Sequence, residues 1–355
     1  MVMKCTLCDA VVEKARKLGT KKAGVAKAKV CDSCGRLCCK PCCRQYLLLD
    51  NPDYDLTKEP SPDKPVRVCT ECFKEKSSID HSVKYDAYGT VGKPGIVMIH
   101  GNMANRKMYA HFARTFLATY PNYRIHCLDV PGHGSRMEEE LTIETAIAVV
   151  KEGVERIYNE YCDAVVDSGW DGERVRHDGR PVVFGYSMGA YISMAVTGVC
   201  SEWPIVPRAF AIGGGNFNMN QTGAGLGLSM YGFAMIKIRS AKAWATSLQS
   251  QFPHCPLNVI QECFYRAGGH PHIWPVSQKM LLATNYTDAL AKYDGPIKFF
   301  RGSKDQSDAD ELWLASTKFG TLKKISGGDH MVFIEFVDEV ARMLDRFMRS
   351  VLTSE

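Results

Sequence analysis

The chain has 355 residues, 45% hydrophobic and 23% charged, proportions of a globular protein with one large domain and room for a small one. Its formal net charge of +5 sits in the first 80 residues, where 16 Lys/Arg face 11 Asp/Glu; the remainder is balanced, so a nucleic-acid-binding body is not expected. No apolar run reaches the roughly 18 residues of a membrane span, and the opening MVMKCTLCDA lacks a signal-peptide core, so a cytoplasmic location is expected.

Ten of the fifteen cysteines fall within residues 1–72. Without an export signal, clustered thiols read as metal ligands rather than disulfides. Four Cys-x2-Cys pairs (Cys5/Cys8, Cys31/Cys34, Cys39/Cys42 and Cys69/Cys72) supply enough thiolates for two tetrahedral zinc sites. Cys38 and Cys43 flank the third pair and compete with it in register. So few large apolar residues accompany these pairs that metal must replace the missing core. Each four-thiolate zinc carries a charge of −2, which offsets most of the segment's excess. A local basic patch remains over residues 13–29, with seven Lys/Arg against one Glu. The cysteines at 127, 162, 200, 255 and 263 are scattered and read as buried small apolar residues.

The run Cys31-Asp-Ser-Cys34-Gly35-x3-Cys39-x2-Cys42, followed by Arg67-Val68-Cys69-Thr70-Glu71-Cys72-Phe73, resembles the FYVE zinc-finger family. The resemblance implies a small cross-braced domain over residues 1–76 holding two Zn²⁺. Cys5, Cys8, Cys39 and Cys42 would bind one ion, and Cys31, Cys34, Cys69 and Cys72 the other. It also implies affinity for phosphatidylinositol 3-phosphate on endosomal membranes. The family's arginine–histidine–histidine motif is missing, however: Val25 to Val30 offers only Lys27 and Lys29, and Arg67 matches the later basic position. Lysines attract an anionic surface as point charges, without arginine's bidentate grip. The expected partner of this module is an anionic or phosphoinositide membrane, which would place the chain peripherally on endosomes, or a protein.

Residues 77–93 read as a linker. From 94 to 352 short apolar runs alternate with helical stretches, the pattern of a mostly parallel sheet covered on both faces. An α/β sandwich of three layers follows. Strand candidates are 96–99, 124–129, 181–185, 208–213, 297–301 and 321–326; helical stretches lie near 105–119, 143–167, 187–200 and 335–352. The interval after residue 213 is too long for a simple connection. It reads as a cap inserted at about 214–290, with six glycines in 213–227 as hinges. Within it Met230, Phe233, Ile236, Trp244 and Leu248 fall near helical spacing and would line an acyl pocket or pack the cap. His270-Pro271-His272 reads as loop surface.

In Gly185-Tyr186-Ser187-Met188-Gly189 a strand runs into a helix through the Gly-x-Ser-x-Gly turn that exposes a nucleophile. A serine hydroxyl needs a base, and the base an orienting group. Asp305 follows the next-to-last strand and His330 the last. Asp308 and Asp310 compete for the acid's place, whereas His330 is the only histidine beyond it. An oxyanion hole needs two backbone N–H donors. Met188 offers one, and the loop His100-Gly101-Asn102-Met103 offers another at Asn102 or Met103.

Together with Asp129-Val130-Pro131-Gly132-His133-Gly134, these ordered motifs resemble α/β-hydrolase fold serine hydrolases over about residues 85–352. The resemblance implies an esterase- or lipase-like enzyme. Ser187, His330 and Asp305 would form its triad, Met188 and Asn102 its oxyanion hole. The implied substrate is a small, hydrophobic carboxylic ester or related acyl compound, and catalysis needs no cofactor. The competing reading is a catalytically inactive hydrolase-fold scaffold acting as a membrane or protein adaptor.

Overall fold

The computed structural model describes residues 3–4, 6–7, 11–13, 26–31, 34, 36–39, 42–43, 45–47, 66–166, 179–215, 252–305 and 310–353. In the N-terminal part, Ala26–Val30 pairs antiparallel with Leu37–Cys39, and Gln45–Leu47 with Val66–Val68. Helix α1 (Thr70–Lys76) follows directly on Cys69. The buried cluster here consists of Cys31, Cys38, Cys43, Cys69 and Cys72 with Val68, Phe73 and Ile79. Sulfur stands where larger domains place aliphatic carbon.

The body is built on seven strands: β1 (Tyr85–Gly89), β2 (Gly95–Ile99), β3 (Arg124–Leu128), β4 (Val182–Tyr186), β5 (Ala209–Gly213), β6 (Ile297–Gly302) and β7 (Gly320–Ile325). Their order across the sheet is β7-β6-β5-β4-β2-β3-β1. All neighbours are parallel except β1, which pairs antiparallel with β3. Residues 77–93, expected to be a linker, therefore contribute a strand. Its sequence, Tyr-Asp-Ala-Tyr-Gly, is partly exposed along its length, as suits an edge that only one neighbour covers.

The central strands are apolar runs buried on both faces, with every residue of β2, β4 and β5 buried. Alternate side chains feed two layers. Ile96, Met98, Phe184 and Phe300 pack with α2 (Ala110–Thr119) and a later amphipathic helix. Val97, Ile99, Val183 and Phe210 pack on the other side with α3 (Ile143–Val166) and α4 (Met188–Thr197). Within the cap interval, residues 216–251, including Met230, Phe233, Ile236, Trp244 and Leu248, lie outside the described residues. The described remainder is helical and includes α5 (Trp274–Leu281). The amphipathic C-terminal helix α6 (Val337–Thr353) buries Val340, Ala341, Leu344, Met348 and Val351 at helical spacing.

The strand order reverses between β2 and β4, and loops from the carboxyl ends of parallel strands converge at such a point. Of the scattered cysteines, Cys127, Cys200 and Cys263 are buried while Cys162 and Cys255 are partly exposed. No helix among the described residues is long and apolar enough to cross a membrane.

Candidate active site

Ser187 sits between β4 and α4 with φ +55° and ψ −117°, a conformation that costs a non-glycine residue about 1–3 kcal/mol. Two glycines let the turn close. A Cβ at Gly185 would collide with the Gly189 carbonyl and Ser193 Oγ, and one at Gly189 with the Ile99 carbonyl of β2. The Ser187 N–H donates to the Gly213 carbonyl of β5 at 2.9 Å, pinning the turn to the sheet.

The structure brings Ser187, His330 and Asp305 into one hydrogen-bonded row. His330 Nε2 lies 3.1 Å from Ser187 Oγ, and its Nδ1 lies 3.0 Å from Asp305 Oδ2. A carboxylate only accepts, so Nδ1 carries the proton and Nε2 is left to accept from the serine hydroxyl. The loops bearing the two partners are stitched together: Ser303 N–H donates to the Ile325 carbonyl at 2.8 Å and Lys304 N–H to the Gly328 carbonyl at 2.9 Å. The Tyr186 hydroxyl bonds the His330 carbonyl. Asp310 instead takes both Nε and Nη2 of Arg301, and Arg301 also bonds the Asp305 carbonyl. Asp308 lies outside the described residues.

The loop His100–Asn105 faces Ser187 from the end of β2; a Cβ at Gly101 would stand 3.2 Å from that of Ser187. Met103 N–H is already bound to Asn102 Oδ1 at 2.8 Å. The backbone N–H groups of Asn102 and Met188 carry no hydrogen bond among the described residues, which favours Asn102 over Met103 as a donor.

The alpha/beta hydrolase family matches residues 96–343. The chain belongs to this family. No curated protein matches it, and its likeness to solved structures is one of fold. An esterase from Exiguobacterium antarcticum is 15% identical with a TM-score of 0.57, the match covering 75% of this chain and 94% of that one. A bromoperoxidase from Bacillus anthracis is 14% identical at 0.55, covering 75% and 94%. A lipase-esterase related protein from Clostridium acetobutylicum ATCC 824 is 17% identical at 0.53, covering 74% and 98%. The fold thus hosts more than one chemistry, and the site must carry the functional argument.

This α/β hydrolase holds its His100–Asn105 loop by contacts far apart in sequence, which no local motif announces. Ser277 Oγ of α5 donates to Asn102 Oδ1 at 2.9 Å, and Asn105 Nδ2 to the carbonyls of Ala267 and Gly268. His270, expected on the surface, is fully buried, because the ring packs edge-on against Phe73 and His133 and accepts from Gly134 N–H at 3.2 Å. Burial holds His100, His133 and His270 well toward the neutral form. His133 is a packing residue: its Nδ1 bonds the Pro131 carbonyl.

Of the two expected cysteine sets, one assembles. The sulfurs of Cys31, Cys34, Cys69 and Cys72 all lie within 4.8 Å of one another, with Cys34 Sγ 4.0 Å from Cys69 Sγ. Four thiolates around tetrahedral zinc stand about 3.8 Å apart, so the donor set fits such an ion. Burial pushes the Cys69 thiol up, and a dication is the neutraliser that would let it ionise. For the second set, Cys5 and Cys8 lie outside the described residues, as does the side chain of Cys39. Cys42 is partly buried and packs against the cysteine cluster without being one of the four whose sulfurs meet. Lys27 and Lys29 lie in the strand paired with Leu37–Cys39, their side chains outside the description; Arg67 is half-buried opposite Tyr46.

Proposed function

We propose that the protein is a serine hydrolase that cleaves a carboxylic ester or related acyl bond through an acyl-enzyme. The observation carrying this reading is the unbroken row Asp305–His330–Ser187, with separations of 3.0 and 3.1 Å, on a strained turn. His330 Nε2 takes the serine proton as Oγ bonds to the acyl carbon. The Asn102 and Met188 N–H groups receive the charge that develops on the carbonyl oxygen, each such donor contributing about 3–4 kcal/mol to the barrier reduction. Collapse breaks the bond to the leaving oxygen, which takes the proton from His330. Water then attacks the acyl-enzyme by the same route and frees the acid. Asp305 keeps Nδ1 protonated and balances the imidazolium.

The inactive-scaffold reading expects these groups beyond hydrogen-bond reach, and their spacing supports hydrolysis instead. A panel of short- and long-chain p-nitrophenyl esters tests the proposal. The wild type should hydrolyse at least one, and Ser187→Ala should lower kcat by at least about 10³; equal rates for the two would reject it.

For the N-terminal module we propose zinc at Cys31, Cys34, Cys69 and Cys72. The resemblance to FYVE-like fingers supports a second zinc, in their crossed order, at Cys5, Cys8, Cys39 and Cys42. Lys27, Lys29 and Arg67 then offer an electrostatic contact to an anionic membrane, tested by vesicle flotation with and without phosphatidylinositol 3-phosphate.

A further inference from the structure

The loop that presents Asn102 is gripped by the segment 266–277. His270 N–H donates to the Met103 carbonyl at 3.0 Å, Asn105 Nδ2 to the carbonyls of Ala267 and Gly268 at 3.3 and 3.0 Å, and Ser277 Oγ to Asn102 Oδ1. Met103 has φ +61°, a strained state that persists only while its surroundings hold it. The gripping segment is itself backed by the cysteine module. Phe73, next to Cys72, is fully buried. Its ring centroid stands 5.1 Å from that of His270 at 71°, and a Cβ at Gly268 (φ +81°) would collide with it. Ala267 belongs to the same buried cluster as Cys31, Cys69 and Cys72, and Ser78 N–H donates to the Arg266 carbonyl at 2.9 Å.

We propose that Phe73 is a positioning residue for the oxyanion loop, so that the four-cysteine site sets the rate of acyl transfer at Ser187. This rests on the hydrolase reading above. Helix α1 has seven residues, too few to be stable alone. The sulfurs of Cys69 and Cys72 lie within 4.8 Å of those of Cys31 and Cys34, and Cys69 N–H donates to Cys31 Sγ at 3.2 Å. Closing the four sulfurs on one ion fixes the rotation of α1 and hence the seat of the Phe73 ring. That ring presses Gly268 and His270 against the loop; when it leaves, the strained Met103 turn relaxes and the Asn102 N–H loses its aim.

The test uses the full chain with three readouts: zinc content, hydrogen–deuterium exchange of the peptide spanning 98–106, and phosphonylation rate with a fluorophosphonate. Phe73→Ala should retain its zinc, exchange faster at 100–105, and react at least about tenfold more slowly, a part of the 10²–10³ lost with a whole oxyanion donor. On an ester substrate kcat should fall while KM moves less than about twofold. Phe73→Leu should recover most of the rate. In case Phe73→Ala does not fold, chelator-stripped wild type should show the same faster exchange and slower labelling, restored by added Zn²⁺. Unchanged exchange at 100–105 in both the variant and the stripped protein overturns the proposal, as does loss of zinc in both Phe73 variants with normal labelling. A wild type that exchanges as expected but is never phosphonylated leaves the positioning role standing and defeats the hydrolase reading instead.

Discussion

Asparagine at position 305 tests the orienting acid against its nearest rival. An amide in place of the Asp305 carboxylate presents N–H groups to His330 Nδ1 and favours the tautomer with its proton on Nε2. In the 3.1 Å contact to Ser187 Nε2–H then donates to Oγ instead of accepting from it, and the serine loses its base. Loss of such a carboxylate–imidazole pairing lowers kcat by about 10⁴, or about 5.5 kcal/mol. The substitution is nearly isosteric, so thermal stability should change little. Asp310→Asn gives the opposite profile. It weakens an ion pair with Arg301 in which the two side chains are only 13% and 10% exposed, a loss of about 3 kcal/mol in folding, while kcat stays within about tenfold. Ester turnover and a urea unfolding curve on each variant separate the two effects. A slow, fully stable Asp310→Asn beside an active Asp305→Asn would refute the assignment.

Acid should destabilise the fold through its buried histidines. Burial holds His126, flanked by Glu160, Arg124 and Arg156, down at about 4, against about 6.5 in the unfolded chain. Below 6.5 the unfolded state binds a proton that the folded state refuses, so stability falls as pH drops from 6.5 to 4 and is flat above. The full effect is about 3 kcal/mol for this group; His100, His133 and His270, depressed by burial in the same sense, add to it. Urea midpoints between pH 7.5 and 5 should decline, and His126→Asn should flatten the slope; a constant midpoint would contradict this. Elemental analysis of protein grown with zinc should find at least one ion per chain, and Cys69→Ser should lower the content by one. Metal content unaffected by that change would reject the cysteine site.

The five inner strands of the sheet were legible because strands buried on both faces must be continuous apolar runs, as Gly95–Ile99 and Ala209–Gly213 are; the partly exposed edge strand Gly320–Ile325 was read as well. The edge strand Tyr85–Gly89 escaped notice because a half-exposed, single-neighbour strand needs no such run. The pairing of Asp305 with His330 was legible for a related reason: each follows a recognisable strand, and the parallel sheet carries both to one edge. What supports the Asn102 loop was not legible. Ala267, Gly268, His270 and Ser277 meet it across more than 160 residues of chain, and a histidine beside a proline carries no local sign that a phenylalanine from another module will cover it. In the cysteine segment, spacing announced the pairs, but the choice of which two pairs share an ion came from a family resemblance.

The central claim is that Ser187 is the nucleophile, and mass mapping of a fluorophosphonate adduct tests it most directly. Native wild-type protein should gain one adduct, located on the peptide containing Ser187. The adduct should be absent after heat denaturation, absent in Ser187→Ala and strongly slowed in His330→Ala. An adduct on another residue, or none on native protein whose fold is verified, would contradict the account.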